Sequence, residues 1–279
     1  MSGSKAEGLV YDRQLLLLGP KRNQVLTLDE VRRYGVDSFG DPDYLRIYGL
    51  APQEWYERGI RLLGRTAVEC TRDALGDRIG RDIARVAHGA QAARPFLVID
   101  PFAGSCNTLY WILRHVSGSG GMALEKDCQV YELSRQNLAA VNMSVDLRKA
   151  DFCSLFTGYP LPWDRNLIWF VAPPWGTALD EAIGLDLRHT TPPIAEIVRG
   201  ILDVYPHHAM IFAIQIYERT IEASLREVMA MLDWSELCFY ELGVAGRNHG
   251  CAATTRAHPD RRAIHGLLLG HRGLGDMQR

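Results

Sequence analysis

The sequence predicts an α/β fold, a mostly parallel sheet covered on both faces by helices and preceded by a helical extension. Two observations carry that expectation. From residue 96 onward, short β-rich runs alternate with stretches of helical periodicity, and strands alternating with helices build parallel sheets with both faces covered. The run Phe96-Leu-Val-Ile-Asp100 also ends in an acid and turns at once, through Gly104, into helical sequence, as a buried parallel strand does on entering its crossover helix.

A chain of 279 residues holds one such domain of about 180 to 200 residues plus a smaller extension. We place the extension at residues 1–88 and the α/β domain at 89–279. Hydrophobic content of 47% with 23% charged residues is that of a soluble globular protein, and no apolar run approaches the roughly 20 residues of a membrane span. Leu15 to Leu18 is too short for a signal-peptide core, so a cytoplasmic location and no membrane partner are expected. The cysteines at 70, 106, 128, 153, 238 and 251 form no CxxC pair, which predicts thiols rather than a metal site or a disulfide framework. A net charge of −2 gives no overall field for a polyanion, which makes nucleic acid the less favoured partner.

In the extension, short helical stretches lead to an aromatic and acidic flap, Ser38 to Gly49. Apolar residues at helical spacing (Trp55, Ile60, Leu62, Leu63, Ala67, Val68) predict a helix from Pro52 to Leu75, ended by Gly76, and a second helix over Arg78–Ala87. Trp55, Tyr56, Tyr44 and Tyr48 read equally as flap core or substrate wall. Leu15 to Leu18 offers a contact for a homodimer. Arg58, Arg61 and Arg65 share one helical face, which reads as solvated.

After the strand at Phe96–Asp100, the pattern predicts strand 122–125, helix 128–141, strand 145–149, strand 166–171, helix 193–204, strand 209–216 and helix 220–231. His207 and His208 enter a strand, where neighbours point to opposite sides, so a shared metal is not expected. Two final β-rich runs, 235–244 and 264–269, have no helix pattern between them and are expected to pair antiparallel.

Ligands of open α/β sheets sit beyond the carboxyl ends of the strands, and the acids fall there in order. Asp100 offers a carboxylate to the charged amino acid portion of S-adenosylmethionine (SAM), and the turn Pro101-Phe102-Ala103-Gly104-Ser105-Cys106-Asn107, leading to Thr108, lets backbone approach at Gly104. Glu125, beside Lys126, ends the second strand, where a carboxylate can accept both ribose hydroxyls. Asp151 and Phe152 follow the third strand and supply an acceptor and a ring for adenine. On the fourth strand, Pro173 and Pro174 cannot continue a sheet ladder, so the strand stops at a ledge beside the Trp175 indole. A flat ring can stack there.

Asp100-Pro-Phe-Ala-Gly-Ser105 resembles the first SAM motif of amino-methyltransferases, and Ala172-Pro-Pro-Trp-Gly176 resembles their fourth, Asp/Asn/Ser-Pro-Pro-aromatic. The nearest resemblance is to the trimethylguanosine synthase family, the RNA cap guanine-N2 methyltransferases, in which the Pro-Pro-Trp-Gly turn precedes a Phe-Asp-Ile-Arg-like segment; Leu185-Asp-Leu-Arg188 is similar. It covers roughly residues 40 to 255 and is specific in the two short motifs. The resemblance implies a class I, Rossmann-like seven-stranded SAM methyltransferase sheet with the last strand antiparallel, SAM as donor, and Trp175 stacking on the acceptor.

Two positions depart from the family pattern. Cys106 stands where the family has glycine, and Ala172 replaces the Asp, Asn or Ser that helps hold a target amine. Without that side chain an exocyclic amine keeps only the Pro173 carbonyl, and a lost hydrogen bond of order 1 kcal/mol loosens its orientation. An electron-rich ring that attacks through carbon or a ring nitrogen, such as an indole of a small secondary metabolite, needs no such clamp. A base that removes its N–H proton must come within hydrogen-bond reach of it, and the candidates for that role are Asp186, His189, Tyr44, Asp41, Asp43 and Tyr48. Asp186 with Arg188 also reads as a structural ion pair, and His189 as a turn cap. Ala172, Pro174, Arg188, Tyr48, Trp55 and His249 complete the expected acceptor wall, His249 lying in the loop Gly246–Gly250. The rival readings are a guanine-N2 enzyme on an RNA cap and a SAM-binding partner protein without activity.

Overall fold

A computed structural model of the chain describes residues 9–90, 94–157, 159–180, 182–217, 219–241 and 264–272. The extension contains a five-residue π-type turn (Gln14–Leu18), α1 (Leu28–Phe39), α2 (Pro52–Glu57) and α3 (Gly64–Glu69). It leads into α4 (Asp73–Gly89), after which come β1 (Phe96–Asp100), α5 (Asn107–His115), β2 (Gly120–Glu125), α6 (Cys128–Ala140), β3 (Asp146–Lys149) and β4 (Asn166–Val171). A short hairpin of β5 (Leu179–Asp180) and β6 (Gly184–Leu185) precedes α7 (Ile194–Val204), β7 (Met210–Tyr217), α8 (Glu222–Met229), β8 (Trp234–Glu241) and β9 (Ile264–Arg272).

Local chemistry sets the helix ends. Thr27 and Glu30 form a reciprocal capping box, Glu30 N–H to Thr27 Oγ1 at 3.3 Å and Thr27 N–H to Glu30 Oε2 at 2.9 Å, and Gly40 closes α1 in the left-handed region at φ +70°. Asp127 caps α6 by accepting from the Gln129 and Val130 amides, each at 3.0 Å. The helix expected from Pro52 to Leu75 is broken. Gly59, at φ +83°, lies just past α2 in a conformation that ends a helix. Gly76 terminates nothing: α4 runs through it, and glycine is needed there because a Cβ would sit 2.7 Å from the Trp111 ring. With Gly80, whose Cβ would lie 2.7 Å from the Trp111 carbonyl, it lets α4 and α5 approach closely.

The main sheet has seven strands in the order β3-β2-β1-β4-β7-β9-β8. Chain order reverses at β1, with β2 on one side and β4 on the other, and this places a crevice beyond their carboxyl ends. Every residue of β4 is buried, as expected for a central parallel strand with both faces covered. Alternation along the strands divides the core. Val98, Ile168, Phe170, Ile211 and Ala213 face one cluster, and Ile99, Leu167, Trp169, Val171 and Phe212 face the other with α7.

The first cluster also holds Leu16, Leu26, Ile47, Tyr48 and Trp55, so the extension shares one core with that sheet face. In the run Leu15–Leu18, Leu16 is fully buried and Leu17 nearly so, which leaves Leu18 as the exposed member available to a partner. Arg61, between α2 and α3, and Arg65, in α3, do not share the expected helical face, and both are engaged. Arg61 lies over the Tyr56 ring at 3.6 Å, and Arg65 pairs with Asp127 at 2.8 Å.

The last strands correct the sequence reading. β9 is parallel to both neighbours, with Met210 paired to Ile264 through to Tyr217 paired to His271 on one side, and Trp234 to His265 through to Glu241 to Arg272 on the other. The antiparallel expectation rested on the lack of helical periodicity between the two runs and on the family resemblance, which implied an antiparallel last strand. A parallel return needs a connection of about a dozen residues or more, and residues 242–263 exceed that length whatever their structure. Among the described residues no helix is long and apolar enough to cross a membrane.

Candidate cofactor and acceptor site

At the tip of β1, the Asp100 carboxylate is buried, 2% exposed. It accepts from the Phe102 amide at 3.1 Å. Burial, reinforced by the nearby Glu125 charge, pushes its pKa up to about 7, against the Phe102 N–H. Such a group calls for a cation or a proton. The turn that follows is pinned to β2: Ala103 N–H donates to the Leu124 carbonyl at 3.0 Å, and Gly104 N–H to Glu125 Oε2 at 3.1 Å. The Ser134 hydroxyl of α6 donates to the Gly104 carbonyl at 2.6 Å.

Gly104 itself adopts φ +48°, and a Cβ there would meet nothing within 4 Å, so open space faces this backbone. Cys106 is buried and also left-handed, at φ +59°. The position where glycine was expected therefore does require glycine-like backbone, and the thiol is tolerated because it packs inward.

Glu125 takes one amide on each oxygen, Gly104 on Oε2 and Asp127 on Oε1 at 2.7 Å. Burial raises its pKa, opposed by those two N–H groups. Each carboxylate oxygen retains a second lone pair, which leaves acceptor capacity for a diol. Across the crevice Phe102 and Phe152 bring their rings to 5.2 Å, joining the first turn to the segment after β3. Asp151 is held below its ordinary range first by the Cys153 N–H, and Lys126 lies 3.8 Å from its Oδ2. Thus Asp100, Phe102, Gly104, Glu125 and Phe152 are linked to one another at the carboxyl ends of β1, β2 and β3, and Pro101, Ala103, Lys126 and Asp151 are their chain neighbours.

Asn107 and Thr108 are placed otherwise. Both are buried, and the Asn107 carboxamide is fully engaged: its Oδ1 accepts from Tyr48 N–H at 2.7 Å, and its Nδ2 donates to the Thr71 carbonyl at 2.7 Å and to Asp73 Oδ1 at 3.2 Å. It ties the turn to the extension and has no hydrogen left for a ligand.

On the acceptor side, Pro173 is buried, Ala172 and Trp175 are half-buried, and Pro174 is exposed. Trp175 meets Tyr217, at the carboxyl end of the adjacent β7, edge to face at 6.0 Å. Ala172 packs toward one core cluster and Trp175 toward the other, so the ledge straddles the sheet edge.

Several expected catalytic and substrate residues are engaged elsewhere. Asp186 is held by Arg188 through Nε at 2.9 Å and a terminal nitrogen at 2.7 Å, which lowers its pKa to about 2; a carboxylate so paired is a weak base. Arg188 is thereby committed to Asp186, and His189 is exposed with Nδ1 at 3.7 Å from the same carboxylate. Tyr44 stacks on Phe39 at 3.4 Å and lies under Arg72 at 3.7 Å. Burial raises its phenol to about 12, unsuited to proton abstraction near neutrality. Trp55 is fully buried and donates its indole N–H to the Leu45 carbonyl at 3.0 Å. Tyr48, 2% exposed, donates its hydroxyl to the Ser105 carbonyl. Both brace the interior and do not line a cavity. Asp41 and Asp43 lie in a turn, the Asp43 amide donating to Asp41 Oδ1 at 2.8 Å. His249 lies outside the described residues.

Sequence reasoning missed Tyr217, Ser134 and Asp73. Tyr217 was findable, since it follows the predicted strand directly and strand ends line such crevices. Ser134 and Asp73 carry no local signal. Among the described residues, no group of three His, Cys, Asp or Glu side chains could hold a metal ion.

No protein-family model matches the chain, and no curated protein matches it. Solved structures that resemble it include an Escherichia coli protein described as a methyltransferase (19% identity, TM-score 0.30, covering 49% of this chain and 64% of that one). A second is the methyltransferase subunit of a type I restriction-modification system from Streptococcus thermophilus (14% identity, TM-score 0.39, 71% and 47%). A third is a Listeria monocytogenes protein described as a class I SAM-dependent methyltransferase (12% identity, TM-score 0.40, 73% and 66%). The chain spans between 47% and 66% of the length of these structures. Identities this low concern the fold alone, and scores this low leave function to the residues of the site.

Proposed function

We propose that this chain is a SAM-dependent methyltransferase acting on a planar aromatic N-heterocycle of a small molecule, such as the indole of a tryptophan-derived metabolite. One observation carries the reading: on neighbouring strand tips, a buried acid and open Gly104 backbone adjoin a double-proline ledge bearing an indole. Asp100 fits the SAM ammonium, Glu125 the ribose, and the Phe102–Phe152 pair the base. SAM supplies a methyl group on a sulfonium that is already an activated leaving group. The residues of the chain contribute alignment and exclusion of water. Trp175, braced by Tyr217, stacks the acceptor, and the Pro173 carbonyl orients an N–H on its edge.

With Asp186 paired and Tyr44 raised, placement rather than a dedicated base is the chief contribution: the S–CH3 bond breaks as the bond to the ring forms, and the proton the ring gives up passes to solvent. Ala172 favours a ring that attacks through carbon or ring nitrogen over an exocyclic amine. The test is a screen with methyl-labelled SAM against indoles, other flat heterocycles and a capped dinucleotide. Trp175→Ala is expected to lose turnover at least tenfold while keeping SAM affinity. Transfer to the capped dinucleotide alone would move the assignment to guanine-N2, and no transfer to any flat ring would refute it.

A further inference from the structure

We propose that Tyr48 of the extension is a positioning residue for the cofactor turn, so that an ordered extension and a bound donor favour the same state. This rests on the SAM reading of the crevice. The turn from Ala103 to Asn107 is held from two directions. Its first half is fixed by the sheet domain, through the Leu124 carbonyl, Glu125 and Ser134. Its second half is fixed by the extension: the Tyr48 hydroxyl donates to the Ser105 carbonyl, and the Tyr48 amide to Asn107 Oδ1 at 2.7 Å.

Asp73, at the start of α4, completes the clamp. It accepts from Gly49 N–H at 2.9 Å, from Asn107 Nδ2 at 3.2 Å and from Trp111 Nε1 at 2.7 Å. Tyr48 sits at φ +54°, a conformation a side-chain-bearing residue holds only when its surroundings fix it. Here both its amide and its hydroxyl are spent on the turn. Two left-handed residues, Tyr48 and Cys106 at φ +59°, thus meet at the bend from which Gly104 faces open space. Removing the Tyr48 hydroxyl frees the Ser105 carbonyl and lets Gly104 drift from the geometry that admits the donor.

By linkage, whatever ligand prefers the clamped turn must in turn strengthen the clamp. The experiment is calorimetric titration of S-adenosylhomocysteine into the full chain and its Tyr48→Phe variant. Tyr34→Phe serves as control, since Tyr34 is a buried phenol of the same extension that packs on Phe39. The expected result is about tenfold weaker binding for Tyr48→Phe, the scale of one lost buried hydrogen bond, with wild-type affinity for Tyr34→Phe. Equal affinity of Tyr48→Phe and wild type overturns the proposal, as does equal weakening by both variants, which would mark a general loss of packing. Should Tyr48→Phe not fold, amide exchange on the wild-type chain decides: the Tyr48 and Gly49 amides slow when S-adenosylhomocysteine is added, and unchanged exchange overturns the proposal. If the wild type itself binds no S-adenosylhomocysteine, the SAM reading fails first, and that outcome is separate from a Tyr48 effect.

Discussion

Beyond β1 and β2 the polar groups of the crevice are met by backbone: Asp100 by Phe102, Glu125 by Gly104 and Asp127. Beyond β4 and β7 the surface is made of rings and prolines, with Trp175 on Tyr217 and its nearby acid, Asp186, tied to Arg188. The first region stores charge in a buried place and awaits a cation; the second stores almost none and offers a flat face. Under the proposed function, two such neighbours would divide the labour of a group transfer, one fixing a charged donor and the other laying down a neutral acceptor.

The largest effect expected from this contrast is at Asp100. Asp100→Asn should weaken SAM binding by about 30- to 100-fold, the ~2–3 kcal/mol of a charge-assisted hydrogen bond. The thermal midpoint at pH 8 should hold or rise, because a buried charge is gone. A variant that binds SAM normally would erase the distinction between the two ends.

The pH dependence follows from the same group. Its pKa is raised from 3.8 to about 7 in the folded chain, so the folded state holds the proton more tightly. The stability it contributes is complete below pH 4 and is lost as pH rises through about 7. SAM competes with that proton, so affinity should weaken by up to about tenfold per unit as pH falls below 7 and level off above it. Asp100→Asn should flatten the profile. A wild-type affinity constant from pH 5 to 8 would contradict the assignment.

A smaller change is expected of Phe152→Ala, which removes one ring of the pair beside Phe102. A loss of about 1 kcal/mol of stacking predicts SAM binding roughly fivefold weaker, read by the same titration. Least of all should follow from Asp186→Asn. With the carboxyl held at about 2 by Arg188, methyl transfer should remain within about twofold, and stability should fall by no more than ~1 kcal/mol, as for partly exposed ion pairs. A collapse of turnover would make Asp186 the missing base.

Sequence legibility follows the same division. The strand, acid and glycine turn at Phe96–Gly104, and the acids at the ends of β2 and β3, are local signals, because a backbone that must bend or present an acid at a strand end dictates residues at fixed offsets. The packing of the extension is not local. Trp55 and Tyr48 could line a cavity or fill a core on sequence alone, and only the sheet face they meet decides it. Gly76 illustrates the same limit: its helix-breaking tendency is outweighed by the approach of Trp111 from a helix some thirty residues on. The direction of β9 was illegible because strand composition does not encode polarity.

The most direct measurement of the central claim is titration calorimetry of the wild-type chain with S-adenosylhomocysteine at pH 8. One site with micromolar affinity, reduced by Asp100→Asn and untouched by Trp175→Ala, is the predicted result. Absence of heat, together with an unmoved thermal midpoint at millimolar ligand, would contradict the account.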